Sequence, residues 1–267
     1  MPGGGGMRII VCLKRVPDPE APASLFRIDE TGQRLVAARS VPRLTSTYDE
    51  SALEAALQLK DQHGAQVTLL SLAGEDVSEW LQETLATGAD EAVLVQDAEL
   101  AEGDSFVTAA VLASAIRKLG AYDLVLCGRQ ASDTDAGIVG PALAEYLGVP
   151  SAAVVRRVAV QDGRLRLERV LEDGYEVLEM APPAVLTITS ECYQLRYATM
   201  ANIMAASAKE VAVWTRADLD GVTVDRRTRQ RRLYLPEQRR ACELITADSP
   251  EEAAQRLAQA LRARGVI

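Results

Sequence analysis

Histidine is almost missing from this chain of 267 residues: His63 stands alone. A zinc site built on a histidine pair, HExxH included, is therefore excluded, and a Ser-His-Asp triad has a single histidine to draw on. His63 precedes Gly64 at an expected helix end, where a solvated side chain is the simple reading. Cysteine is sparse as well. Cys12, Cys127, Cys192 and Cys242 are far apart and form no CxxC, which argues against a metal centre or a redox pair. Cys12 and Cys127 close apolar runs and read as small buried hydrophobes. Aromatic residues are few, with 2 Phe, 2 Trp and 7 Tyr, so base-stacking platforms are scarce. Basic residues are outnumbered, 29 Lys and Arg against 38 Asp and Glu, for a net charge of −9. Binding to a phosphate backbone needs the reverse balance, so no nucleic-acid partner is expected. No apolar run approaches the roughly 18 residues of a membrane span, so no direct membrane insertion is expected either. Without a secretory signal or a disulfide pattern, the expected setting is cytoplasmic.

What is present reads as an α/β protein. Hydrophobic residues make up 48% and charged residues 25%, an ordinary globular balance. The opening MPGGGG reads as a disordered leader over residues 1–7. RIIVCL at 8–13, QVTLLSL at 66–72, AVLV at 92–95 and LVLC at 124–127 are short, apolar and rich in β-branched residues, as buried parallel strands are. Helical spacing separates them at 49–62, 77–87 and 104–119, closed by Gly64, Gly88 and Gly120. Such βαβ units predict a parallel, doubly wound sheet flanked by helices. Ligands on such sheets sit beyond the carboxyl ends of the strands, at a topological switch point. Lys14 and Arg15, Ala73 and Gly74, and the residues from Gly128 onward occupy those ends.

After Pro150 the rhythm changes. Residues 153–160 and 165–171 flank Asp162-Gly163 and predict a β-hairpin insertion, with 175–180 as a further strand. AVLTIT at 184–189 is again a buried strand, and 200–206 a short helix. The compact domain is placed at 8–210 and an extended C-terminal arm at 211–267. Residues 225–241 hold seven Arg. Ser249, Pro250 and Glu252 are a helix start, with Ala253, Leu257, Ala260 and Leu261 on one stripe. This end of the chain either docks on a partner subunit or is a solvated tail.

The most informative segment is GRQASDTDAGIVGPALAEYLGVP at 128–150. It follows a strand and leads into a helix starting near Val139, with Pro141 in the first turn. Gly128, Gly137 and Gly140 allow close backbone approach. Amides at a helix N-terminus favour an anion such as phosphate. Neither a Walker P-loop nor GxGxxG is present, and a tight turn without ligand is the alternative. Asp133 and Asp135 in this loop would repel phosphate unless a cation intervenes or they face away; ribose hydroxyls or turn bracing are their other uses.

Three separated motifs carry a family likeness: VCLKRVPD at 11–18, GRQASDTDAGIVGP within 123–150, and EDGYEVLEMAPPAVLT followed by RYATMANIM within 168–204. Tyr48-Asp49-Glu50 and LATGAD at 85–90 fit as well. Over residues 7–215 the chain resembles the β subunit of electron transfer flavoproteins, a family that includes the nitrogen-fixation-linked FixA proteins. The resemblance implies a nucleotide-binding α/β domain, with the arm embracing an α subunit that carries a mobile FAD. It implies electron transfer from an acyl-CoA or other dehydrogenase, or from NADH, to a quinone oxidoreductase or other acceptor. The β subunit of such a heterodimer holds a second nucleotide. In simple carriers this is structural AMP; in bifurcating members it is a second FAD that takes a hydride from NADH and splits the electron pair. No catalytic residue is implied in the simple carrier.

Carried over by residue, the nucleotide would meet Cys12, then Ser46, Thr47, Tyr48 and Asp49, then Ala73. It would also meet Gly128, Arg129, Gln130, Ala131, Ser132, Asp133, Thr134, Asp135, Ala136, Gly137, Ile138 and Val139. Ser46 stands where the family often has Asn. Val139-Gly140-Pro141 leans toward the FAD-type loop, while Ala136 and Ile138 in place of Thr and Gln lean away, so FAD and AMP both remain open. Met200 falls at the apolar anchor of the family's partner-recognition loop, usually Leu; the other reading makes it the first core residue of a short helix. The preceding Cys192-Tyr193-Gln194-Leu195 departs from the family. The rival function on the same fold is a nucleotide-binding regulator or ATP hydrolase, for which Asp133 and Asp135 are the available carboxylates.

Overall fold

The apolar runs that punctuate the sequence become strands of one sheet. The computed structural model describes residues 6–190, 192–222, 225–235 and 242–267. In chain order the strands are β1 (Arg8–Leu13), β2 (Arg15–Pro17), β3 (Phe26–Ile28), β4 (Leu35–Ala37), β5 (Arg43–Thr45), β6 (Gln66–Ala73) and β7 (Glu91–Gln96). They continue with β8 (Leu124–Gly128), β9 (Ser151–Gln161), β10 (Arg164–Leu171), β11 (Gly174–Met180), β12 (Ala184–Ile188) and β13 (Val211–Trp214). The helices are α1 (Thr47–His63), α2 (Ser78–Leu85), α3 (Ala98–Ala101), α4 (Ser105–Leu119), α5 (Val139–Leu147), α6 (Met200–Ser207) and α7 (Pro250–Ala263).

Nine strands form the main sheet in the order β11-β10-β9-β12-β8-β1-β6-β7-β13. The strands from β9 to β13 in that order pair in parallel, and β10 runs antiparallel to both β9 and β11. The chain lays β6 and β7 on one side of β1, then returns to place β8 on the other. That reversal opens a crevice beyond the carboxyl ends of β1 and β8.

Two cores sandwich the sheet. On one face Leu53 and Leu57 of α1 pack with Val11, Leu69 and Leu126. On the other, Ile116 of α4 and Leu143 of α5 pack with Ile10, Val125 and Val185. Each such side chain, withdrawn from water, contributes about 1.5–3 kcal/mol before the entropy of ordering is counted. Gly64 ends α1 in the left-handed conformation (φ 66°), its N–H reaching the Lys60 carbonyl. In the β9–β10 hairpin Asp162 (φ 51°) and Gly163 (φ 74°) both take positive φ, as a two-residue hairpin turn with right-handed twist requires.

Several sequence-based boundaries shift. Helix α1 begins at Thr47, ahead of residue 49. Residues 1–5 of the expected leader lie outside the described residues, but Met7 is buried and its carbonyl accepts the Gln66 N–H at 2.8 Å. Pro17 ends β2, whose two-stranded ladder with β5 tolerates proline at its end. The sheet also continues beyond residue 210, where the arm was expected to begin. Val211–Trp214 pairs with Val95 and its neighbours in β7, and the Lys118 ammonium sits 4.4 Å from the Trp214 ring centre.

The chain divides into two compact units, one reaching Arg231 and one from Arg232. In the second, Ser249 caps α7 by accepting the Glu252 N–H at 3.2 Å, as its sequence implies. Leu244 and Leu257 of this unit are exposed. Residues 236–241 of the Arg-rich stretch lie outside the described residues. Among the described residues no helix is long and apolar enough to cross a membrane.

Candidate functional site

Parallel strands leave their last amides and carbonyls without ladder partners, and here one carboxylate collects two of them. Asp49, in the first turn of α1, accepts the Lys14 N–H on Oδ2 at 2.8 Å and the Gly128 N–H on Oδ1 at 3.1 Å. It thereby joins the ends of β1 and β8 at the switch point. Asp49 is buried, and desolvation pushes its carboxyl up to about 7. The two backbone N–H bonds and the Lys14 charge resist that rise, while Asp133 adds to it. Gly128 is required by this closeness. A Cβ there would lie 2.4 Å from Asp49 Oδ1 and 2.7 Å from Tyr48 Cβ.

From Gly128 the chain forms an exposed loop. The Arg129 N–H still bonds the Ile188 carbonyl at 2.8 Å, extending the β8–β12 ladder by one step. The Ala131 carbonyl then accepts the Thr134 and Asp135 amides, making a tight turn. Asp135 (φ 50°) and Gly137 (φ 64°) sit in the left-handed region and re-aim the chain toward α5. Gln130 Nε2 donates to Asp135 Oδ1 at 2.7 Å and to Tyr48 Oη at 3.3 Å. The Ser132 N–H donates to the buried Ser46 Oγ at 3.3 Å. The Lys14 ammonium reaches Asp133, 2.8 Å from each carboxylate oxygen.

Two features of this loop fit an anionic ligand. Helix α5 starts at Val139 behind Ile138, with no side-chain cap on its first turn. Its first amides are therefore available to an anion. Ser132 Oγ is buried and has no hydrogen-bond partner among the described residues, so it is free to bond a ligand. Gly140 lets α5 approach the sheet closely, since a Cβ there would meet Thr187 Cγ2 at 2.3 Å.

Of the residues singled out from sequence, Ser46, Tyr48, Asp49 and Gly128–Asp135 are joined in this network. Thr47, Ala136, Gly137 and Ile138 are exposed around it, and Val139 begins the helix. Ala73 closes β6, with its carbonyl taken by the Asp97 N–H at 3.0 Å. Cys12 is buried at the end of β1, in register with Cys127 on β8. Donation of a hydrogen bond to Cys12, together with burial, raises the Cys127 thiol. Met200 is elsewhere. It opens α6 and is 73% exposed, beside exposed Tyr197, Ile203 and Met204, so the reading of it as a core residue is corrected.

Sequence reading missed how the Met200 segment is held. Arg196 Nε and Nη2 fork onto Glu54 of α1 at 3.0 and 2.9 Å, and Nη1 reaches Asp61 at 2.8 Å. Burial opposes ionisation of Glu54, but the Arg196 and Gln58 hydrogen bonds outweigh it and hold the carboxyl below its usual range. Ser51 Oγ donates to the Tyr193 carbonyl at 3.1 Å, and Gln82 Nε2 donates to the Lys209 carbonyl at 3.1 Å. These partners are remote in sequence, and no local pattern marks them.

Comparison with known proteins bears on this arrangement. The family model described as electron transfer flavoprotein domain matches residues 34–219. The chain is 42% identical over 214 residues to an electron transfer flavoprotein subunit beta of Clostridium acetobutylicum, covering 80% of each chain. It is 35% identical over 269 residues to the caffeyl-CoA reductase-Etf complex subunit CarD of Acetobacterium woodii, covering 98% of this chain and all of the relative. It is 37% identical over 219 residues to the protein FixA of Azorhizobium caulinodans, covering 79% and 76%. With this breadth of match and an α/β sheet of the expected kind, the chain belongs to the electron transfer flavoprotein family, among its β subunits and FixA proteins.

Proposed function

We propose that this chain is the β subunit of a heterodimeric electron transfer flavoprotein and holds an adenine nucleotide in the crevice between β1 and β8. The observation that carries the reading is the uncapped start of α5 beneath a loop whose Ser132 hydroxyl is buried and unpartnered. The amides of Val139 and Gly140 and the Ser132 hydroxyl would hold the phosphate. Ser46, Tyr48, Asp49 and the rest of the run from Gly128 to Ile138 would line the remainder, with Cys12 and Ala73 at its floor. Bound there, FAD supplies two-electron exchange with NADH, whereas AMP supplies none and braces the fold. The chain's own part is to bind, orient and exclude water.

The partner α subunit would carry the other FAD, and the C-terminal unit would embrace it. The exposed face of α6, with Met200 and Met204, would dock an acyl-CoA or other dehydrogenase, because methionine is an adaptable apolar contact. A quinone oxidoreductase or other acceptor would complete the route, in the cytoplasm. The hydrolase reading is not favoured: Asp133 is engaged by Lys14 and Asp135 by Gln130, so neither is poised as a base.

The test is chemical. Purify the heterodimer, denature it, and quantify FAD and AMP by chromatography. Two FAD per heterodimer assigns the bifurcating type, and one FAD with one AMP the simple carrier. A single FAD with no second nucleotide rejects the proposal for this crevice.

A further inference from the structure

We propose that Lys14 is the charge-compensating residue of the crevice: its ammonium neutralises Asp133 and so lets an acidic loop accept a phosphate. The inference rests on the nucleotide reading above and adds a role for Lys14 beside the residues named there. The loop after β8 carries two carboxylates, both exposed, within a few residues of the α5 amides. An approaching phosphate meets their repulsion unless it is cancelled.

The two carboxylates are treated differently. Asp135 accepts from the neutral Gln130 amide, which fixes its direction and leaves its charge in place. Asp133 is met by a full positive charge at 2.8 Å on both oxygens. Lys14 is well placed for this because its own N–H is held by Asp49 at 2.8 Å, which fixes the root of the side chain at the end of β1. The pair spans 119 residues of sequence and joins the end of β1 to the loop after β8. Its side chains are 45% and 26% exposed, a setting in which an ion pair adds little to folding stability. Its effect therefore falls on the ligand rather than on the fold. Lys14 acts through Asp133 and is a positioning residue.

The experiment is calorimetric titration of AMP into the full chain freed of nucleotide, with melting temperatures recorded for each variant. Lys14→Met should weaken AMP by about tenfold or more at low salt. The loss should shrink between about 0.05 M and about 0.5 M salt, as screened repulsion does. Combining Lys14→Met with Asp133→Asn should bring affinity back to within about threefold of the unaltered chain. Lys14→Arg should keep affinity near that of the unaltered chain, and Asp133→Asn alone should tighten AMP. Those last two variants decide the matter if Lys14→Met does not fold. Unchanged affinity in Lys14→Met, no recovery in the double variant, or weaker binding in Asp133→Asn overturns the inference while leaving the nucleotide reading intact. An unaltered chain that binds neither AMP nor FAD overturns both.

Discussion

Gly128 presents its N–H to Asp49 across 79 residues of sequence, at 3.1 Å, and has no room for a side chain. Gly128→Ala would drive a methyl into the Asp49 carboxylate and the Tyr48 backbone. Overpacking of this kind lowers stability by about 1–3 kcal/mol. Gly140→Ala should behave alike, since its methyl would meet Thr187. Urea unfolding of both variants checks this, and wild-type midpoints in both would contradict it. Nucleotide content should fall with stability, because each glycine borders the loop.

Asp49 makes stability depend on pH in a direction opposite to most acidic residues. Its folded carboxyl lies at about 7 against an ordinary 3.8, so the native state holds the proton that the unfolded chain has released. Its contribution is complete below the unfolded value and declines as pH rises toward 7. The local slope approaches about 1.4 kcal/mol per pH unit. Asp49→Asn should flatten this slope between those pH values. Equal slopes in the two proteins, measured by denaturant unfolding at several pH values, would remove Asp49 from the account.

Glu54 has the reverse sign. Its folded carboxyl is held below the ordinary range, so its contribution is present above the unfolded value and is lost as pH falls through the folded one. Arg196→Met should lower stability by about 1–3 kcal/mol near neutrality, as loss of a charge-assisted hydrogen bond does. Adding Glu54→Gln should cost little more, because the interaction is already gone. A double-mutant cycle reads this coupling, and additive losses would contradict it.

Met200 and Met204 are exposed, so their loss should leave the fold alone. Met200→Glu should keep stability within about 0.5 kcal/mol while reducing electron delivery from a dehydrogenase. Stopped-flow flavin reduction alongside a melting curve separates the two effects. An unchanged rate would move the docking face elsewhere.

Much of the sheet was legible because buried parallel strands have a local signature: β1, β6, β7, β8 and β12 are apolar runs closed by Gly or polar residues. Strand β13 was not. Val211–Trp214 has only four residues, two of them exposed, and its pairing with β7 is chosen by tertiary contacts. In the site, the loop and its glycines stood out through their position after a strand and before a helix. The links that organise them did not. Lys14 to Asp133 and Arg196 to Glu54 join residues 119 and 142 apart, and a charge alone does not name its partner. The Ser46 hydroxyl accepts the Ser132 amide, and a backbone partner so remote leaves no trace in residue type.

Helix α1 is a stiff rod of 17 residues that carries Asp49 near one end and Glu54 further along. Intrahelical bonds allow these two carboxylates almost no relative travel. Any rearrangement beside Gly128 that drags Asp49 must therefore carry Glu54, and through it Arg196 and the start of α6, in the same rigid displacement. The end of β8 and the approach to α6 are thus fastened to one rigid element.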